Sequence, residues 1–272
     1  MWDAIIITPF TNFLLVIYNL VGQNFGIAII IFTLIIRLVT HPLMVKQIKG
    51  TQATQNMQQD KDWLKIQAKY KDDREKLAQA QMDYYKEKGI SPFSSCLPTL
   101  IQFPIIIGLY QSIIATLVST PIEMLNLSRH IYPWLLKVST ILPLNSQFLW
   151  MDLGQPERIN LPFLSFGIPS LAIIVMITTY VQSKLTQPAT TSASNPHDQT
   201  AMMTNMMTLY MPFFMGYLAY TLSSGLALYF VISNVVGIIQ YAALGKVNWR
   251  NLLPGKKAQA PATKSKQVEA KK

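Results

Sequence analysis

The chain has 272 residues, of which 50% are hydrophobic and 13% are charged, and its formal net charge at pH 7 is +10. This composition predicts a membrane protein with several spans and argues against soluble domains. Because Cys96 is the one cysteine in the sequence, an internal disulfide is excluded, and no Cys/His cluster has the spacing of a metal site.

Residues 1–24 begin the chain with an apolar stretch that we do not interpret as a cleaved signal peptide. The stretch has no basic n-region and no small-residue cleavage site. Its apolar part, 5–21, is interrupted by Pro9 and Asn12. These breaks favour an amphipathic helix lying in the membrane interface, and an inserted helix is the alternative.

Residues 25–45, FGIAIIIFTLIIRLVTHPLMV, form the first predicted span, and Arg37 lies well inside it. An arginine side chain stays protonated in proteins, and a central arginine costs roughly 2.5–3.5 kcal/mol even on the lenient insertion scale. Snorkelling toward the interface would lower this cost without removing it. Since no predicted span contains Asp or Glu, we expect Arg37 to face a hydrated recess.

The segment 46–92 is charged and largely helical, and it predicts a helical hairpin. Four further apolar runs predict the second to fifth spans at 97–118, 161–186, 202–222 and 224–245. Three connecting or terminal segments remain: a Pro- and Trp-containing interfacial region at 119–160, a polar loop at 187–201 and a basic tail at 246–272.

Charge sets the predicted orientation. Residues 46–88 hold ten basic and seven acidic residues, the tail 246–272 holds eight and one, and the region 119–160 holds three of each. Because five spans put the hairpin and the tail on the same side, the positive-inside rule makes that side cytoplasmic. The predicted fold class is therefore an all-α polytopic membrane protein with five transmembrane helices, its N-terminus outside and its C-terminus and helical hairpin in the cytoplasm.

Polar residues recur at helical spacing on several predicted spans, and each is costly unless it faces protein or water. On the second span, Gln102 and Gln111 lie half a turn out of phase, so at most one faces the same cavity. Interhelical hydrogen bonding is the alternative role for each Thr, Ser or Gln. The predicted cavity residues are Arg37, Thr33, Thr40, Gln102, Thr178, Gln182 and Ser233, and Gly237 and Gln240 repeat the spacing of Ser233.

The sequence lacks the residues that several classes of membrane protein need for their function. A proton-coupled transporter usually has an intramembrane carboxylate, and a membrane protease needs paired Asp, a Ser with a base, or metal ligands. The three histidines, His41, His130 and His197, lie at span ends or in loops, and we expect none of them to be a ligand or a catalytic base. No cofactor is predicted.

Four motifs occur in order over roughly residues 20–250: GIAIIIFTLIIRLVTHPL, KDDREKLAQAQMDYYKEKGISPFSSCLPTLIQFPIIIGLY, MMTLYMPFF and SSGLALYFVISNVVGIIQ. Together they resemble the YidC/Oxa/Alb membrane protein insertase family, specifically its short bacterial members without a large periplasmic domain. The resemblance implies a location in the bacterial plasma membrane and a hydrophilic groove open to the cytosol and the lipid but closed outside. It also implies that Arg37 is the groove arginine and that Ile106 and Phe230 contact the substrate helix.

The partners implied are nascent membrane proteins, the ribosome through the basic tail, anionic lipids, and also the Sec translocon and the signal-recognition-particle pathway. Our hypothesis is an insertase that works without covalent chemistry or nucleotide. One alternative is a channel or anion transporter that uses Arg37 as a selectivity charge. Another is a passive ribosome tether, in which the function resides in the tail.

Overall fold

A computed structural model of the chain describes residues 2–58, 60–70, 73–89, 97–117, 125, 127, 130–132, 144–159, 167–186, 199–247 and 249. A π-helical turn at Asp3–Ile7 leads into the first of nine α-helices in these ranges, which are α1 (Thr8–Leu20), α2 (Phe25–Val39), α3 (His41–Gln58), α4 (Lys61–Lys69), α5 (Arg74–Glu87), α6 (Leu97–Thr116), α7 (Ser170–Thr186), α8 (Gln199–Thr221) and α9 (Ser224–Ala243). Two short antiparallel strands, β1 (Gln147–Phe148) and β2 (Met151–Asp152), form a hairpin.

Helix α2 has a defined start and a defined end. The side chain of Asn24 accepts a hydrogen bond from the Ile27 N–H at 3.1 Å, which satisfies a donor at the helix N-terminus. At the other end, α2 meets α3 at a 56° bend. The bend comes just before Pro42, which has no N–H and whose ring clashes with the preceding turn. The predicted first span, 25–45, thus contains all of α2 and the start of α3.

The main core lies between α1, α2, α6 and α9, and α7 packs against both α8 and α9. Phe10 and Phe13 of α1 pack on Phe32 of α2, with ring centroids 5.4 and 5.6 Å apart. One face of α1 is therefore buried among other helices.

Two described segments, Asp3–Leu20 and Ser224–Ala243, are long and apolar enough to cross a membrane, with mean hydropathies of 1.5 and 1.7. The bent pair Phe25–Val39 and His41–Gly50 passes the same test together, and Phe103–Thr116 and Ser170–Thr186 are shorter apolar helices. Large apolar side chains such as Ile177, Phe213 and Ile239 are exposed on the outward faces of α7, α8 and α9. The fold is that of an all-α membrane protein, whereas the count of five spans and the interfacial position of 5–21 stay predictions.

The β-hairpin packs closely on the start of α2. The ring of Phe148 lies directly on Gly26, where an added Cβ would overlap the ring carbons. The segment that follows the hairpin also caps α9, because the N–H groups of Ser224 and Gly225 donate to the carbonyls of Gln155 at 2.8 Å and Leu153 at 3.0 Å. We call this end of the bundle the β-hairpin end.

The buried carboxylate of Glu157 fastens the start of α7 at the same end. It accepts hydrogen bonds from the Ser170 hydroxyl at 2.8 Å, the Leu171 N–H at 3.0 Å and the Trp150 indole N–H at 3.2 Å. An acidic group at a helix N-terminus is favoured by the helix dipole as well as by these donors. The start of α7 and the start of α9 are therefore both tied to residues 150–157.

Helices α4 and α5 lie within the predicted hairpin 46–92 and pack against each other through their own small core. Trp63, Tyr84 and Tyr85 are buried there, with Ile66 and Leu77 against them. The Lys88 ammonium lies 3.3 Å from the Asp60 carboxylate and joins the end of α5 to the start of α4. We call this end of the molecule the helical-hairpin end.

Candidate functional site

The guanidinium of Arg37 lies between α2 and α9, two residues before α2 ends. Its Nε donates a hydrogen bond to the Ser233 hydroxyl oxygen at 2.9 Å, and Nη2 donates to the same oxygen. Ser233 is only 3% exposed, while Arg37 is half-buried. Ser233 on the neighbouring helix α9 thus holds the Nε–Nη2 edge of the guanidinium.

Helix α9 also contacts the backbone of Arg37. The side-chain amide of Gln240, which is 8% exposed, donates to the Arg37 carbonyl at 3.0 Å. The same Nε2 atom lies 3.3 Å from Nδ1 of His41, at the bend between α2 and α3. Ser233 and Gln240, two turns apart on one face of α9, therefore fix both the side chain and the main chain of Arg37.

Gly237 lies between these two residues and lets α7 approach closely. A Cβ at Gly237 would come 2.5 Å from Nε2 of Gln182 and 3.9 Å from Nη1 of Arg37. The Gln182 amide therefore lies against the α9 backbone, and it and the guanidinium are both within 4 Å of the place that this Cβ would take. Within the described ranges, no residue accepts a hydrogen bond from Nη1, and no carboxylate pairs with Arg37.

Further polar contacts join α7 to α9. The Asn234 amide donates to the hydroxyl oxygens of Thr178 at 3.1 Å and Thr179 at 2.8 Å. The Thr178 hydroxyl itself donates to the Ile174 carbonyl at 2.8 Å. These residues hold the two helices together next to Arg37, which is the interhelical role that the sequence left open as an alternative.

The other predicted cavity residues differ in their surroundings. Thr33 is fully buried, and its hydroxyl donates to the Ile29 carbonyl of its own helix at 2.7 Å. Thr40 donates in the same way to the Ile36 carbonyl at 2.7 Å. The side chain of Gln102 lies outside the described residues, although its backbone belongs to α6. Gln111, the other glutamine of that helix, accepts a hydrogen bond from the Trp2 indole at 2.6 Å.

The two predicted substrate-helix contacts lie on α6 and α9. Ile106 is half-buried against the main core. Phe230 is 6% exposed, and its ring packs on Tyr229 with centroids 5.7 Å apart. In the chain alone, Phe230 is thus mostly covered by its neighbours, and its contact with a substrate stays a prediction.

Three residues outside the predicted cavity set make contacts in this cluster: Gln240, Asn234 and His41. The sequence places Gln240 on the polar face of α9 without naming it among the cavity residues, Asn234 lies beside that face, and His41 contacts Gln240. The seven-residue spacing from Ser233 to Gln240 was the available signal. No signal in the sequence indicates that Gln240 contacts the main chain at the Pro42 bend. Across the described part of the chain, no group of three His, Cys, Asp or Glu side chains could hold a metal ion.

These features define a class: an all-α membrane protein with a half-buried arginine held between its helices. The chain matches the model of the 60Kd inner membrane protein family over residues 16–250, and it therefore belongs to that family. This match confirms the resemblance found in the sequence motifs.

Named relatives agree with the family match. The chain is 33% identical over 241 residues to the membrane protein insertase YidC 2 of Bacillus anthracis, covering 88% of this chain and 79% of the relative. It is 31% identical over 249 residues to the membrane protein insertase YidC of Oceanobacillus iheyensis, covering 90% and 84%. A crystal structure described as an active YidC insertase with its first transmembrane domain resolved is similar with a TM-score of 0.46 and 25% identity, covering 82% of this chain and 42% of that one.

Proposed function

We propose that this protein is a membrane protein insertase of the bacterial plasma membrane. Its relatives carry that name, and the chain aligns with most of their length. The observation that carries the proposal is the free Nη1 edge of Arg37, which lies beside the Gln182 amide without an acceptor among the described residues. Such an edge is available to an incoming polypeptide.

In this proposal, the polar cluster belongs to a hydrophilic groove that opens to the cytoplasm. The bundle has five spans, with the helical-hairpin end in the cytoplasm and the β-hairpin end outside. Two contrasts support this arrangement. The cluster around Arg37 lies toward the helical-hairpin end, whereas Phe25, Ile29 and Phe32 toward the β-hairpin end are fully buried in apolar packing.

The groove receives the polar extracellular segment of a nascent protein and shortens its path across the low-dielectric layer. An acidic group 4 Å from Arg37 gains about 4 kcal/mol at an effective dielectric constant near 20, compared with about 1 kcal/mol in water. The apolar helix of the substrate slides along α6 and α9 past Ile106 and Phe230. Its own burial in lipid then drives release, so neither nucleotide nor covalent chemistry is needed.

Other partners follow from charge. The basic tail 246–272 would contact ribosomal RNA through phosphates without base readout, or anionic lipid headgroups. Cooperation with the Sec translocon and the signal-recognition-particle pathway is part of the same proposal. In the tether alternative, removal of 255–272 abolishes activity, whereas an insertase keeps part of it.

The channel alternative needs a polar path through both ends of the bundle. The apolar packing of Phe148 on Gly26 disfavours such a path at the β-hairpin end. Ion flux and insertion can be measured on the same vesicles, so one preparation separates the two functions.

The test is reconstitution of the purified protein into vesicles of bacterial lipid. A small single-span substrate with an acidic head is added during its synthesis, and insertion is scored by protection of the head from external protease. We expect protected head well above the level of protein-free vesicles and no added ion flux. Protection equal to that of protein-free vesicles would refute the insertase, and ion flux without protection would establish the channel.

A further inference from the structure

Three residues on one face of α9, Ser233, Gly237 and Gln240, differ in how they contact Arg37 and its surroundings. Ser233 accepts hydrogen bonds from Nε and Nη2, Gln240 donates to the Arg37 carbonyl, and Gly237 between them has no side chain. Ser233 is a direct partner of the guanidinium. The other two residues touch the backbone of Arg37 or the helix beside it.

Gln240 holds the main chain at the C-terminal end of α2. Its amide reaches the carbonyl of Arg37 at 3.0 Å, at the bend where Pro42 interrupts the regular helix hydrogen bonds. Holding this carbonyl fixes the main-chain position from which the Arg37 side chain starts. The Thr40 hydroxyl donates to the same carbonyl at 3.4 Å, so loss of the Gln240 amide removes the shorter of its two hydrogen bonds and allows the bend to change the depth of the guanidinium in the bundle.

Gly237 determines where the Gln182 side chain lies. The nearest atom to a Cβ at this position is Nε2 of Gln182, at 2.5 Å, and that atom is the end of a flexible side chain. An added methyl group would therefore displace the Gln182 amide from its present place at little cost to the fold. The absence of a side chain at 237 is what lets the amide lie there.

We propose that Gly237 and Gln240 are positioning residues that aim the Nη1 edge of Arg37 together with the Gln182 amide. Nη1 of Arg37 and Nε2 of Gln182, the two polar atoms nearest to Gly237, are both hydrogen-bond donors, so the edge presents donors at these atoms. Such an edge accepts carboxylates and backbone carbonyls and rejects ammonium groups. Because Nη1 belongs to a cation, its hydrogen bond to a carboxylate is stronger than its hydrogen bond to a neutral carbonyl, so the edge favours acidic over neutral and basic heads. This inference rests on the proposed insertase function.

The test compares Gly237→Ala with Gly216→Ala in reconstituted vesicles. Gly216 is a matched control because it also faces α7 from a neighbouring helix, but its Cβ would meet the apolar Met176 Cβ at 3.3 Å. Three substrates identical except for Asp, Asn or Lys in the head are inserted by each variant. We expect the Asp-over-Asn ratio to fall about fivefold in Gly237→Ala and to stay unchanged in Gly216→Ala.

Two more variants keep the proposal falsifiable if Gly237→Ala fails to fold. Gln182→Met removes the same amide from the α7 side and should lower the ratio by a similar factor. Gln240→Met keeps the length of the side chain without its donor, and it should also lower the ratio rather than reduce insertion of all three heads equally. If Gly237→Ala folds and keeps the wild-type ratio of Asp-headed to Asn-headed insertion, the role of Gly237 is overturned. If Gly237→Ala does not fold, a wild-type ratio in Gln182→Met overturns it instead. An equal loss for all heads in Gln240→Met would assign Gln240 a structural role only.

The outcomes also separate this inference from the proposed function. If the wild-type protein inserts none of the three substrates, the insertase function itself fails. If it inserts them with an acidic preference that the folded variants retain, only the positioning roles fail.

Discussion

The guanidinium of Arg37 and the hydroxyl of Ser233, 196 residues apart in the chain, are joined by two hydrogen bonds between α2 and α9. The serine oxygen takes the Nε and Nη2 donors, so the side chain is held by one edge. A charged donor makes these bonds stronger than those between neutral groups. The consequence is a guanidinium whose orientation is fixed by protein while its Nη1 has no acceptor among the described residues.

Replacing Ser233 with Ala should destabilise the protein. Arg37 would lose its acceptor in a half-buried site, and hydrogen bonds to charged groups are worth about 1.5–3 kcal/mol. We expect a lower free energy of unfolding of that order for the protein in detergent micelles. Ser233→Thr keeps the hydroxyl and should recover most of the loss. Equal stability of Ser233→Ala and the wild-type protein would mean that the hydrogen bonds contribute nothing.

The contact between Gly26 and Phe148 predicts a case of coupled substitutions. A methyl group at position 26 would overlap the Phe148 ring, and overpacking of this kind typically costs about 1–3 kcal/mol. Gly26→Ala should therefore lower the thermal midpoint, while the double variant Gly26→Ala/Phe148→Ala should cost less than the sum of the two single variants.

Gly154→Ala is the control for that pair, because its Cβ would meet no atom closer than 3.5 Å. It should leave the midpoint nearly unchanged. If the losses of stability in Gly26→Ala and Phe148→Ala add up in the double variant, the Phe148 ring does not pack tightly against Gly26.

The helical hairpin should lose stability at both extremes of pH. The hydrogen bond from the Asp62 N–H, with a smaller contribution from Lys88, lowers the pKa of Asp60 below its ordinary value of 3.8. Stability from this carboxylate is therefore present above pH 3.8 and lost as the pH falls through the lowered pKa. The Tyr84 hydroxyl and the Asp60 carboxylate raise the pKa of Lys88 above 10.5, so its contribution is present below pH 10.5 and lost as the pH rises through the raised pKa.

Fluorescence of Trp63 measures this dependence, because its indole is buried in the hairpin core. In a variant that keeps Trp63 as the one tryptophan, we expect the emission to shift to longer wavelength at acid pH. Asp60→Asn should remove the part of the acid transition that comes from this carboxylate. An unchanged acid transition in Asp60→Asn would show that another group controls it.

The sequence predicts Arg37 and the polar faces of α7 and α9 because helical spacing and the cost of burying charge need no tertiary information. It does not predict the β-hairpin, since strands of two residues carry no periodic pattern. The close approach of Phe148 to Gly26 depends on how distant segments pack. Such contacts become visible only in three dimensions.

Helical spacing does not predict how deeply each polar side chain is buried or which group it hydrogen-bonds. Thr33 shares a face with Arg37, yet it is fully buried and bonds to its own helix. Gln240 shares a face with Ser233, yet it contacts the Arg37 carbonyl near the bend between α2 and α3. A period assigns a residue to a face, whereas depth and hydrogen-bond partners depend on the neighbouring helices.

The central claim is that Arg37 receives the polar head of the substrate through its charge. The most direct measurement is insertion of the Asp-headed and Asn-headed substrates by wild-type protein and by Arg37→Ala, reconstituted in equal amounts into the same vesicles. We expect the wild-type protein to prefer the Asp head about tenfold, which corresponds to about 1.4 kcal/mol, and Arg37→Ala to insert both heads equally. The same preference for the Asp head in Arg37→Ala would contradict the claim.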